Sequence, residues 1–189
     1  MMTSQIPDEV LFEQEWFVVT AVDGTGLFAP AEHGLEPECF STACYRGHVC
    51  RYAVVDGRLE LHDLELGSEQ APPRLGGRPP VAIEPWQWHY EGLAVPTAFT
   101  GRLLIGNGDP DELPYLHMGF RPAWMFAEVR ELTFEAGALQ AAADRSAELA
   151  RVRTDVAPTA ARPAPGEPTE EWISRTFSLT FEYAWPGRS

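Results

Sequence analysis

Not one lysine occurs among the 189 residues, so all 14 basic side chains are arginine. Without lysine the chain has no Schiff-base nucleophile, no anchor for pyridoxal phosphate and no P-loop cation. Cysteine is almost as scarce. The three copies, Cys39, Cys44 and Cys50, are an odd number, which excludes a complete disulfide framework and fits a compartment that keeps thiols reduced. No apolar run approaches the roughly 20 residues of a membrane-spanning helix. The opening MMTSQIPDEVLFEQEW has neither the basic start nor the apolar stretch of a signal peptide. The expectation is a cytoplasmic protein with no membrane partner. Positive charge is also in deficit: 28 acidic residues against 14 basic ones leave a formal charge of −14. Such a balance repels phosphate backbones, so nucleic acid is not an expected ligand.

Enzyme signatures are missing too. There is no GxSxG elbow, no HExxH and no P-loop, and DGTGLF and IGNGDP are too short for a dinucleotide fingerprint. No cofactor is therefore expected. The acidic GDPDEL lacks the alternating ligands and closing glutamate of a calcium loop and reads as a solvated turn.

What is present is globular. A hydrophobic fraction of 44%, with six Trp and ten Phe, suits a single domain over 1–189 with its own core. The strongest local signal is YRGHVCRYAVVDGRLELHDLEL, two β-rich runs joined by Asp56-Gly57, the residue pair of a type I′ hairpin turn. Counting back from that turn, Val54 faces Leu59, Tyr52 faces Leu61, Cys50 faces Asp63 and His48 faces Glu65. His48, Cys50, Tyr52, Val54, Leu59 and Leu61 then share the core side. Leu64 and Leu66 fall out of phase, and a bulge near His62-Asp63 would restore them.

Further strands are read in EWFVVTAV, in TGRLLIG, in a hairpin about Ala136-Gly137, and in the terminal WISRTFSLTFEYAW, whose apolar residues alternate. A single short helix is expected near 144–153, where Ala, Leu, Glu and Arg concentrate. The segments 68–80 and 153–171 are rich in proline and read as loops within the domain. The fold class is mainly β: a single-domain antiparallel β-barrel, or a two-layer β-sandwich, with the barrel preferred because closure leaves no strand edge exposed.

ACYRGHVCRYAVVDGRLELHDLEL, AFTGRLLIGNG and YLHMGFRPAWMFAEVRELTFEAGAL together resemble an uncharacterised bacterial family. Its pattern has an aromatic-Arg-Gly segment opening a hairpin and a His-Met-Gly-aromatic segment before the last hairpin. The resemblance spans about Leu11 to Ala150. It implies a mainly β fold and supplies no activity and no catalytic residues. His48 stands where the family pattern has tyrosine.

Two clusters invite chemistry. Cys39, Cys44, His48 and Cys50 have ligand-type side chains, but no CxxC pair, and buried cysteine packs as a small apolar group, so no metal is expected there. The second is a candidate ligand pocket. His117, with Tyr115 and Trp124 as walls and Arg46 and His48 as polar groups, is joined by Trp86 and Trp88 of EPWQWHYEG, a stripe that serves either as core or as a stacking platform. The sequence thus favours a non-enzymatic binding module with an acidic surface, whose partner is a protein or a small molecule. The alternative is a small enzyme or metal-binding protein using His117 and His48 or the Cys39–Cys50 cluster.

Overall fold

A computed structural model of the chain describes residues 4–112, 118–156 and 163–188. Ten strands form one sheet: β1 (Glu9–Phe12), β2 (Glu15–Thr25), β3 (His48–Val55), β4 (Arg58–Gly67), β5 (Val81–Glu84), β6 (Gln87–Tyr90), β7 (Val95–Pro96), β8 (Thr100–Asn107), β9 (Glu128–Glu135) and β10 (Ala138–Asp144). Seven of them close into a barrel in the order β10-β9-β8-β2-β1-β3-β4, and Ala138 paired with Arg58 completes the ring. The barrel is not wholly antiparallel, because β1 runs parallel to β3 with Val10 opposite Tyr52. Beyond the ring, the far half of β4 carries a second layer of pairing, first to β6 and through it to β5.

Hairpin chemistry accounts for much of this path. Asp56 and Gly57 both have positive φ, as a type I′ turn requires, and so do Ala136 and Gly137. The β3–β4 register follows the expected count as far as Tyr52 opposite Leu61 and then shifts. His62 is the extra residue, so Arg51 meets Asp63, Cys50 meets Leu64 and His48 meets Leu66. The expected pairings of Cys50 with Asp63 and His48 with Glu65 are therefore each off by one residue. The cause is the bulge itself, which returns Leu64 and Leu66 to the inward face, where both are fully buried.

Inside the barrel Tyr52, Leu59, Leu61, Phe99, Leu103, Ile105, Leu132 and Phe134 fill the lumen. A second apolar cluster lies on the outer face of β2, β8 and β9, where Ala21, Leu104 and Val129 are covered by a 3-10 turn (Ala123–Met125), by α1 (Ser146–Val156) and by the C-terminal segment. That segment departs from expectation. Instead of a last strand it forms α2 (Thr169–Thr176) and α3 (Phe181–Ala184), giving three short helices where one was expected. Both flanks of β2 are already occupied, by β1 and β8, so the barrel offers no edge there for another strand. Glu170 and Glu171 in the first turn of α2 favour the positive end of its dipole, and the Thr180 hydroxyl accepts from Tyr183 N to cap α3. In the short extended stretch between the helices, Leu179 O accepts from Val22 N of β2 at 2.8 Å. The helix expected over 144–153 begins two residues later, because Asp144 ends β10 and its carboxylate accepts from Ser146 N.

Candidate functional site

Where the barrel gives way to the β4–β6–β5 extension, the chain leaves an open groove of about 350 Å³. Its walls are Gly34–Glu36 with Glu38 on one side and Ser68–Pro73 on the other, over a floor at Leu66. The two walls are tied: Glu38 N donates to Gly67 O at 2.9 Å, and the Glu38 carboxylate accepts from Glu69 N at 2.9 Å. Three carboxylates, Glu36, Glu38 and Glu69, line it, with no arginine among the lining residues. In a cleft, like charges add to a local negative potential that draws cations.

The β5–β6 hairpin stands at the rim. Ser68 N donates to Trp86 O at 2.8 Å, and the Trp88 indole N–H donates to Ser68 O at 3.0 Å. Trp86 follows Pro85 in the two-residue turn, with φ of +65°. Proline followed by a positive φ is the type II arrangement, whose third position suits glycine or asparagine. A tryptophan held there costs on the order of 1 kcal/mol of backbone strain. Burial does not offset it, for Trp86 is 66% exposed. Val81 and Ile83 on β5 are also exposed, at 59% and 45%. Trp86 therefore leaves the stripe expected of EPWQWHYEG. Trp88 is half-buried on β6, and Tyr90 is fully buried, donating its hydroxyl to Pro73 O at 2.7 Å.

The other expected site residues divide. Tyr115 and His117 lie outside the described residues. Trp124 is buried in the outer cluster, where its carbonyl accepts from Arg153 Nε at 2.8 Å. His48 pairs with Leu66 and Leu66 with Trp88, so His48 and Trp88 occupy one cross-sheet row either side of the groove floor. Arg46, His48, Trp86, Trp88 and Trp124, expected as site residues, are not among those lining the groove, and the sequence missed the glutamate walls. Glu36 and Glu38 lie some thirty residues before Glu69 and the three carry no motif; the close backbone approach of Glu38 to Gly67 brings the two segments together.

Arg46 and His48 are tied into a local network. The Arg46 guanidinium donates to Asp8 Oδ1 at 2.8 Å and to Ile6 O at 3.0 Å, and the same Asp8 oxygen accepts from Cys50 N at 2.7 Å. His48 Nδ1 lies 3.1 Å from Arg46 O. A carbonyl only accepts, so Nδ1 carries the proton in the neutral ring. Burial holds the His48 pKa below its ordinary 6.5, with Arg46 assisting against the opposing pull of Asp8. The sign follows by linkage: a histidine depressed on folding contributes stability that is present above pH 6.5 and lost as pH falls, because the unfolded chain takes the proton first. Urea titrations between about pH 7 and pH 5 should therefore show stability falling less steeply in His48→Gln than in the parent. Parallel slopes would remove His48 as the source.

The cysteines do not act as a set. Cys39 is exposed with its thiol 3.3 Å from Ser41 O, whereas Cys44 and Cys50 are buried. Burial pushes both buried thiols above their usual pKa, the reverse of what a nucleophile or a thiolate ligand needs. Among the described residues no three His, Cys, Asp or Glu side chains converge to hold a metal ion. No helix among them is long and apolar enough to cross a membrane. Comparison of the chain with protein-family models, with curated proteins and with solved structures finds no match.

Proposed function

We propose that this protein is a non-enzymatic, cytoplasmic binding module that recognises a cationic protein partner at the acidic groove and the hairpin beside it. The observation that carries this reading is the pairing of a carboxylate-lined groove with exposed Val81, Ile83 and Trp86 at its rim. Interfaces join an aromatic or aliphatic anchor to complementary charge at the edge, and the net charge of −14 steers a basic partner toward that edge. One concrete form is an immunity-type inhibitor that masks a basic toxin. The three free thiols fit a reducing compartment.

The test uses a lysine-rich decapeptide and its glutamate counterpart, titrated by fluorescence anisotropy at about 50 and about 200 mM salt. The lysine peptide should bind, more weakly at the higher salt, and the triple replacement Glu36→Gln, Glu38→Gln, Glu69→Gln should weaken it about tenfold, equivalent to 1.4 kcal/mol. Glutamine keeps an acceptor for Glu69 N, so the walls stay tied. Equal binding of the two peptides, or no effect of the triple replacement, would defeat the reading.

A further inference from the structure

Resting on that reading, we propose how the partner docks: a cationic segment adds to β5 in extended form, as one more strand of the sheet, with Trp86 as its apolar anchor. β5 ends the sheet path. Among the described residues it pairs as a strand with β6 alone, so its other edge faces solvent with unpaired backbone groups. All four residues of β5 are exposed. Natural edges are usually blunted by charge, yet this one carries valine, alanine and isoleucine before its one glutamate, Glu84. It is instead kept short: Pro80 precedes it and Pro85 follows it. Four residues admit about 13 Å of added strand, enough for one short segment and too little for a growing fibre.

Trp86 supplies a second, independent observation. Its backbone is held in a conformation that glycine would adopt freely, while most of its indole faces water. Neither local propensity nor core packing calls for tryptophan at this turn, and strain retained at an exposed position points to a contact made only in the complex. The occupant follows from charge. Glu84 lies on the edge itself, and Glu69 follows Ser68, which is hydrogen-bonded to Trp86, so lysine or arginine side chains of an added strand meet carboxylates while their aliphatic stems cover the indole. A second copy of this chain brings another −14, which opposes self-pairing.

The probe is a ten-residue peptide alternating lysine with valine, labelled for anisotropy. Its twin carries N-methyl groups on the amides of one edge, which removes strand pairing and keeps the charge. The twin should bind at least tenfold more weakly. Ile83→Lys and Trp86→Gly should each weaken the parent peptide by a similar factor, while Trp86→Gly unfolds at the same temperature as the parent protein or higher, because the turn is relaxed. On binding, the amides of Val81 to Glu84 should gain protection from hydrogen exchange. If the methylated twin and both hairpin variants bind normally while the triple glutamine replacement does not, the groove reading stands and strand addition falls. If no lysine peptide binds at all, both fall. Sedimentation revealing a dimer that Ile83→Lys dissolves would give the edge to a second copy and overturn the proposal.

Discussion

Replacing Glu131 by alanine is expected to lower the free energy of unfolding by about 3 kcal/mol, the low end of what removing one member of a buried ion pair costs. Glu131 sits on β9 facing outward, yet only 6% of it is exposed. Its carboxylate accepts from Arg188 at 2.8 Å and from Arg145 at 2.9 Å, with Arg102 at 3.5 Å. Arg188 lies at the last described turn of the chain, Arg145 between β10 and α1, and Arg102 on β8, so one carboxylate joins three parts of the outer layer. The guanidiniums of Arg188 and Arg145 also flank the Trp185 ring, at 4.1 and 5.9 Å from its centre. Alanine would leave three cations together with no central anion. The arginines are between a quarter and two-fifths exposed, so water relieves part of the cost, hence the low end of the range. Urea titration of Glu131→Ala and Arg188→Ala is the check. Arg188→Ala should cost about 1 kcal/mol, because the other two partners remain. Two costs below about 0.5 kcal/mol would reduce the cluster to surface ion pairs.

The same carboxylate has a pH signature. Burial taken by itself would raise its pKa, but the hydrogen bonds and charges of Arg188 and Arg145 outweigh burial and hold it below the usual 4.5. A carboxylate depressed on folding contributes stability that is present above 4.5 and lost as pH falls through its folded value. Glu131→Ala should accordingly lose stability less steeply than the parent below about pH 4.5.

The parts of this fold that were legible in sequence are those where one residue pair has one conformational use. Asp56-Gly57 and Ala136-Gly137 announced two hairpins, and the phase change at His62 announced a bulge that the structure contains. β1 escaped because its turn to β2 is Glu13-Gln14, both at positive φ without glycine or asparagine to advertise it. The terminal segment misled for a different reason. Its alternation of Phe177, Leu179 and Phe181 satisfies a strand, but Trp172 and Thr176 are buried one helical turn apart, and a barrel with no vacant edge beside β2 settles the choice. Trp86 and Trp88 stand out in the sequence, and the acidic walls of the groove do not. A tryptophan is conspicuous by itself, whereas three glutamates mean something only once Gly67 has brought Glu38 and Glu69 face to face.

A single methyl group at Gly137 should destabilise the barrel by about 3 kcal/mol, and the reason lies at its seam. The tips of two hairpins meet there: Leu59 N donates to Gly137 O at 2.9 Å, Leu139 N to Gly57 O at 2.7 Å, and Gly137 N to Phe99 O at 2.8 Å. These bonds surround the one residue pair, Ala138 with Arg58, that joins β10 to β4. Gly137 has φ of +80°, which costs alanine about 1 kcal/mol. A Cβ at this position would also collide with the carbonyl oxygen of Thr97. That oxygen belongs to backbone held in place, since Thr97 N and its hydroxyl both donate to Leu59 O at 3.0 Å. Overpacking against fixed structure adds a further 1–3 kcal/mol, so about 3 is expected in total. Gly57→Ala is the matched control: its φ is +73°, but nothing lies within 4 Å of its Cβ position, so it should cost only the backbone share. Denaturant midpoints of the two variants separate strain from collision, and hydrogen exchange at Leu59 and Leu139 should accelerate in Gly137→Ala before the rest of the barrel opens. Equal midpoints for the two alanine variants would mean that Thr97 yields, and that the seam is held less tightly than these hydrogen bonds require.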